Sequence, residues 1–153
     1  MTAKSSLPEP VMNVAEVEAF IDEVFPQLHH GGRSILIEEV GPMTAQLRLV
    51  AHERHLRPGG TISGPAMFTL ADVGLYVVIL AHIGREALAV TTNLNINFLR
   101  KPPQGDVIVQ CRLLKLGKRL AVGEATLFTP GAREPVAHAV GTYSIPARGK
   151  AVS

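Results

Sequence analysis

Cysteine is almost missing from this chain: Cys111 is the only one in 153 residues. An intramolecular disulfide is therefore impossible, and so is a metal site assembled from several thiolates. Tryptophan is absent and aromatic residues make up only 5%, too few for a platform on which nucleobases stack. Charged residues are scarce at 18%, with a formal balance of +2 and no Lys/Arg run longer than two. That excludes the strong basic field of a nucleic-acid binder. No sequence motif asks for a metal or a cofactor. The first ten residues hold Lys4, Glu9 and two prolines without an apolar run, unlike a secretory leader. With the single thiol, this gives the expectation of a reducing, cytoplasmic setting.

What the chain has in quantity is apolar residues, 46% of the total, enough for one domain with a substantial core. Residues 1–12 read as a flexible arm and 147–153 as a flexible tail, leaving a single domain over 13–146. Asn13–Leu28 is predicted to be a helix, because Val14, Val17, Phe20, Ile21, Val24 and Phe25 recur at helical steps behind an Asn13 cap. Ser34–Val40 and Thr44–Val50 read as a hairpin about Gly41-Pro42. Beyond Gly84 the period falls to two. Leu88, Val90, Thr92, Leu94, Ile96 and Phe98 are expected on one strand face, and Asn93, Asn95 and Asn97 on the other. Val107–Leu116, Arg119–Thr129 and Pro135–Ile145 are further strands, separated by Pro- and Gly-rich turns. Cys111 alternates with Val107 and Val109 and reads as a core filler.

Between the two groups of strands lies Gly64–Ile83, about 20 mostly apolar residues and near the length that spans a bilayer. Asp72 sits close to its centre, where a carboxylate costs about 2.5–3.5 kcal/mol to insert into lipid. A helix buried inside protein explains the run without that cost, so no membrane is expected as a partner. Ser63 before it and Pro65 in its first turn form a start signal. The order helix, two strands, apolar helix, four strands implies an α+β fold in which one antiparallel sheet covers a helix apolar nearly all round.

Thr69, Asp72 and Tyr76 share one side of this helix and form a narrow polar line on it. A carboxylate so placed must be hydrogen-bonded, protonated or next to a wet pocket. It is either a structural group bonding Thr or Tyr hydroxyls across a subunit contact, or a catalytic acid tuned by partial burial. Other candidates offer less. His29-His30 ends a helix without metal-ligand spacing around it, and His52 with His55 lacks further ligands. His138 reads as a strand residue with a structural or interface role. Ser63 has no G-x-S-x-G elbow around it.

The stretch His55-Leu56-Arg57-Pro58-Gly59-Gly60-Thr61-Ile62-Ser63-Gly64-Pro65, followed by Asp72, resembles the hotdog-fold acyl-CoA thioesterases of the phenylacetate-pathway type. That family shows H-x-N-x-x-G-x-x-H-G-G and an acidic residue about two helical turns on. His55, Gly60 and Gly64 fit at the family's spacing, and Asp72 falls where the family's carboxylate stands. The later Asn93-Leu94-Asn95-Ile96-Asn97-Phe98-Leu99-Arg100-Lys101-Pro102 is similar to the family's third strand. Three positions depart from the pattern: Arg57 stands for Asn, Ser63 for His, and Pro65 for the second Gly.

The resemblance implies a long central helix wrapped by a curved antiparallel sheet, with homodimers joined edge to edge and often paired again as a dimer of dimers. It implies hydrolysis of an acyl-CoA thioester in a pocket at the subunit interface. Asp72 would act there as general base or nucleophile, and the amide N–H groups at the helix start would form the oxyanion hole. Pro65 has no N–H, so Gly64, Ala66 or Met67 has to supply the donor. Ser63 would hold the water or cap the helix. Polar Asn93 and Asn95 suit an interface or wet channel. Arg100 with Lys101, or Lys118 with Arg119, would clasp the phosphates of CoA. His55, Arg57, Gly60, Thr69 and Tyr76 complete the expected substrate contacts. The sequence leaves two other readings open: a non-catalytic binder of acyl-CoA or a small ligand, and a hydratase of enoyl thioesters.

Overall fold

The computed structural model describes residues 6–147. Two helices and six strands follow one another: α1 (Val14–Val24), β1 (Ile35–Gly41), β2 (Thr44–Leu49), α2 (Gly64–Ile83), β3 (Val90–Phe98), β4 (Val107–Leu116), β5 (Leu120–Phe128) and β6 (Ala137–Ser144). The strands form one antiparallel sheet in the order β1-β2-β4-β5-β6-β3. α2 packs along one face of it. The α+β class and the helix-in-sheet architecture expected from the sequence are those of the fold.

α1 starts on a capping box, in which the Asn13 side chain accepts from the Glu16 N–H and Glu16 accepts from the Asn13 N–H. It stops at Val24, short of the predicted Leu28. Pro26 has no N–H and its ring disfavours helical backbone at Phe25, so Pro26–His29 tightens into a single 3₁₀ turn. The end of the predicted arm is docked rather than loose: the Val11 and Met12 N–H groups both donate to the Ala81 carbonyl, and Met12 is buried. Residues 1–5 and 148–153, the outer parts of the predicted arm and tail, lie outside the described residues.

α2 has the predicted bounds. Ser63 caps its start, and Gly84, at φ +90°, ends it with its N–H on the Leu80 carbonyl. By length and a mean hydropathy of 1.9 it could cross a membrane, yet 72% of that apolar window is buried inside this fold. Leu70, Leu75, Ile79 and Leu80 are fully buried, each stabilising the fold by about 1.5–3 kcal/mol. Near its C-terminus the buried His82 accepts the Met43 N–H on Nε2 at 2.8 Å. Nδ1 must then carry the proton, which it gives to the Val78 carbonyl at 2.7 Å.

Small residues set how closely α2 lies on the sheet. A Cβ added at Gly74 would stand 2.6 Å from Cys111 Sγ and 3.2 Å from a Val109 methyl. Leu75 fits over the cross-strand pair Gly123 and Gly141, where added Cβ atoms would meet its methyls at 2.8 and 2.7 Å. Cys111 is the core filler predicted, and burial pushes its thiol far above the ordinary range.

The predicted alternation of β3 fails at one place. A β-bulge between Thr91 and Asn93 shifts the register against β6, so Thr91 turns inward while Val90 is left 56% exposed. Leu94 and Ile96 pack on the core as expected. Leu88 lies before the strand and is exposed.

Substituting Gly74→Ala tests the helix–sheet contact. Alanine gains about 1 kcal/mol in helix propensity, but overpacking costs about 1–3 kcal/mol. The melting temperature is expected to fall, and adding Cys111→Ala is expected to recover part of the loss.

Candidate active site

Asp72 leaves α2 half-buried and opens onto a cavity of about 290 Å³, lined with Val73, Tyr76, Ala87, Thr91 and Tyr143 among others. Its Oδ1 accepts hydrogen bonds from Thr91 Oγ1 at 2.7 Å and from the Tyr143 phenol at 2.6 Å. Thr91 and Tyr143 face each other across the β3–β6 ladder, so the strand register delivers both hydroxyls to one oxygen. Oδ2 has no hydrogen-bond partner among the described residues and is not sealed from solvent. Burial first, and the Asp72 charge second, hold the Tyr143 phenol above its usual range, so it remains a donor. Tyr76 stacks on it at 6.3 Å and donates to the Ala87 carbonyl at 3.0 Å. Burial raises the Tyr76 phenol as well.

A second cavity, of about 590 Å³, opens at the start of α2 and is lined by Gly64, Pro65, Met67, Phe98 and the cations Arg57, Arg100 and Lys101, with neighbouring loop residues. The amides there are sorted by their partners. The Ala66 N–H goes to Ser63 Oγ at 3.2 Å and the Met67 N–H to the Ser63 carbonyl at 3.1 Å. Pro65 has none. The Gly64 N–H has no protein acceptor among the described residues, which leaves it as the open donor at the positive end of a 20-residue helix. The Phe98 ring covers Gly64 so closely that an added Cβ would lie 3.3 Å from it.

Within one chain these two places are apart. Asp72 is eight residues beyond Gly64, about 12 Å along the helix axis. β3 runs antiparallel to α2, with Thr91 at the Asp72 end and Phe98 at the Gly64 end.

The remaining predicted residues divide. Tyr76 lines the Asp72 cavity; Thr69 lies one turn away, exposed and outside it. Ser63 is a cap. His55 closes a 3₁₀ turn, its Nδ1 accepting the His52 N–H at 3.0 Å and its carbonyl the Ser63 N–H at 2.8 Å. Burial, with the charges of Arg54 and His52, keeps its imidazole below the usual range. Gly60, at φ +80°, shapes the tight turn with Arg57 and lines neither cavity. Asn93 and Asn95 lie on the outward side of β3, opposite Leu94 and Ile96, and away from both cavities. Arg100 is held by Glu134 at 3.0 Å and the Pro135 carbonyl at 2.8 Å, whereas Lys101 has no ion-pair partner among the described residues. Lys118 and Arg119 border a separate cavity with His82 at the C-terminal end of α2. That end is about 29 Å from Gly64 at the rise of an α-helix, so in one chain this pair joins neither place. Thr91 and Tyr143 were not singled out by the sequence; strand patterning marks such residues only as threonine and tyrosine in a sheet. His138, read as structural, bonds Glu124 at 3.1 Å.

Residues 59–136, about half of the chain, match the family model described as the thioesterase superfamily. The chain belongs to the thioesterase superfamily. A protein of Silicibacter sp. TM1040, whose crystal structure is described as that of a "putative thioesterase", is 52% identical, covers 90% of this chain and 94% of its own, and superposes with a TM-score of 0.82. A Pseudomonas aeruginosa protein named "putative esterase" is 34% identical over 74% of this chain and 90% of its own. A Streptococcus mutans UA159 protein solved with bound acetyl-CoA shares the fold at 20% identity and a TM-score of 0.67, covering 77% of this chain and 93% of its own. The match to the superfamily runs from the turn before α2 to the threshold of β6. It therefore contains Gly64, Asp72 and Thr91, and stops before Tyr143.

Ser63→Ala separates the two roles read for that residue. As a cap, its loss is expected to cost about 1 kcal/mol of stability with turnover little changed. A loss of turnover at unchanged melting temperature would instead make the hydroxyl part of the chemistry.

Proposed function

We propose that this protein hydrolyses an acyl-CoA thioester to the free acid and CoA in a site shared by two copies of the chain. One observation carries the reading. Asp72 is tied to one end of β3 through Thr91, and Gly64 lies under Phe98 at the other end of the same strand. β3 is an edge of the sheet and its nine residues carry no charge and no proline. Val90 and Phe98 are each more than half exposed on it. Such an edge is a template for another strand. Antiparallel pairing of two β3 strands about a two-fold axis sets the Asp72 end of one chain beside the Gly64 end of the other. Carboxylate and open amide then meet, although no single chain brings them together. A further pairing of two dimers is the larger assembly we infer from the family resemblance.

In this arrangement the thioester carbonyl oxygen takes the Gly64 N–H and the positive end of α2, which stabilise the developing oxyanion. Asp72 Oδ2 takes a proton from the attacking water, or attacks the carbonyl carbon itself to give a mixed anhydride that water cleaves. In both routes the C–S bond breaks, and CoA leaves as the thiol once its sulfur gains a proton. Arg57, Arg100 and Lys101 around the Gly64 cavity suit the phosphates of the nucleotide end. A fold that holds acetyl-CoA in the S. mutans protein supports this ligand class. A reducing, cytoplasmic setting fits both a CoA thioester and a single buried thiol.

A free-thiol assay across short, medium, long and aryl acyl-CoAs is expected to find a hydrolysed substrate, with Asp72→Asn lowering its turnover by about 10²–10⁴-fold. Tight binding with no thiol release anywhere in the panel would support a binding module instead. The shared site has its own check. Asn95→Lys places like charges near the proposed two-fold axis; it is expected to give monomers in sedimentation and, with the Asp72 cavity intact, to abolish turnover.

A further inference from the structure

The geometry points to Tyr143 as a positioning residue that decides which oxygen of Asp72 reacts; this rests on the hydrolase reading above. A carboxylate on a helix can turn about its last bond and offer either oxygen. Here Oδ1 is taken by two hydroxyl donors, Tyr143 at 2.6 Å and Thr91 at 2.7 Å, while Oδ2 has no hydrogen-bond partner among the described residues and is not sealed from solvent, on a residue that lines the cavity. The two donors come from adjacent strands, and the Tyr143 ring is itself fixed. It is only 2% exposed, it stacks on Tyr76, and its backbone is paired with Thr91 on one side and Ala121 on the other. Removing the phenol oxygen keeps the ring that makes this packing and takes away only the hydroxyl's bonds to Asp72.

The phenol has a second acceptor, the Asp72 main-chain carbonyl at 2.7 Å. A hydroxyl has one proton, so it serves one of these acceptors at a time. While Asp72 is ionised, the carboxylate is the stronger acceptor. When the charge on Asp72 is consumed in the reaction, the same proton can turn to the carbonyl without leaving a buried donor unpaired. Tyr143 thus grips the side chain while it is charged, and keeps an acceptor for its own proton in either charge state of Asp72. Thr91, its cross-strand neighbour, is the second half of the clamp.

The test uses Tyr143→Phe in the full chain on an acyl-CoA that the wild type hydrolyses. The expected result is a fall in kcat of about 10- to 100-fold, with KM within about twofold of wild type. Thr91→Val is expected to act in the same direction and Thr91→Ser to retain activity. The Tyr143→Phe/Thr91→Val double variant is expected to lose less than the product of the single losses, because both hydroxyls hold one oxygen. A second readout needs no turnover. The chain has two tyrosines, so 3-fluorotyrosine gives two ¹⁹F signals, assigned with Tyr76→Phe, and Asp72→Asn is expected to move the one from Tyr143. Wild-type kcat and KM in Tyr143→Phe, while Asp72→Asn is inactive, would overturn the positioning role and leave the hydrolase reading intact. An unmoved Tyr143 signal in Asp72→Asn would overturn it too. Full turnover in Asp72→Asn would overturn the hydrolase reading itself.

Discussion

The distance between α2 and the sheet is the constraint on which the rest of the molecule depends. A helix apolar on every side has to be covered on every side, and the sheet can wrap it only where side chains at the contact are small. Gly74 against Cys111, and Leu75 over Gly123 and Gly141, are where a side chain of one layer rests on the bare glycine backbone of the other. This close seat fixes both the height and the rotation of α2. Rotation matters most, because it decides where the single carboxylate of the helix emerges. Asp72 comes out toward the β3–β6 edge, where Thr91 and Tyr143 supply hydroxyl donors and a cavity reaches it. Turned elsewhere, the same acid would meet the apolar inner faces of β4 and β5, with nothing to satisfy it.

Two local irregularities complete the site, and each works against a regular pattern. The bulge in β3 adds one residue to the strand, and that residue turns Thr91 toward the helix instead of away from it. Pro65 in the first turn of α2 removes an amide, and Ser63 occupies the amides of Ala66 and Met67 through its side chain and its carbonyl. What remains open is the Gly64 N–H. The cap that stabilises the helix start therefore also selects its donor. The carboxylate and this donor stay a helix segment apart in one chain, and the uncharged edge of β3 is the feature on which the proposed pairing with a second copy rests.

Much of the fold was legible in the sequence because hydrophobic period and turn chemistry are local properties. The bounds of α2 followed from Ser63, Pro65 and Gly84, and the strands from their alternation and the glycines and prolines between them. Errors fell where one residue overrides a pattern. Apolar residues continue past Pro26 at helical steps, but the missing N–H ends the helix all the same. The alternation through Leu88, Val90 and Thr92 is unbroken in sequence, and the bulge reverses it. For the site, Asp72 and Gly64 were visible as an acid on a greasy helix and as a glycine in a motif. Lys118 and Arg119 read as equal candidates with Arg100 and Lys101 because a sequence carries no distance between the ends of a helix.

Residue order alone thus determined which segments are helix or strand, that a single acid lies on a buried helix, and that an amide is lost at Pro65. These follow from spacing, side-chain volume and the chemistry of one backbone position. Only the tertiary structure decided that Thr91 and Tyr143 share one oxygen of Asp72, that Asn93 and Asn95 face away from it, and that Gly64 keeps the open donor. Those outcomes depend on strand register and on the seating of α2 against the sheet. Both are set by contacts between residues far apart in the chain, which no local pattern encodes.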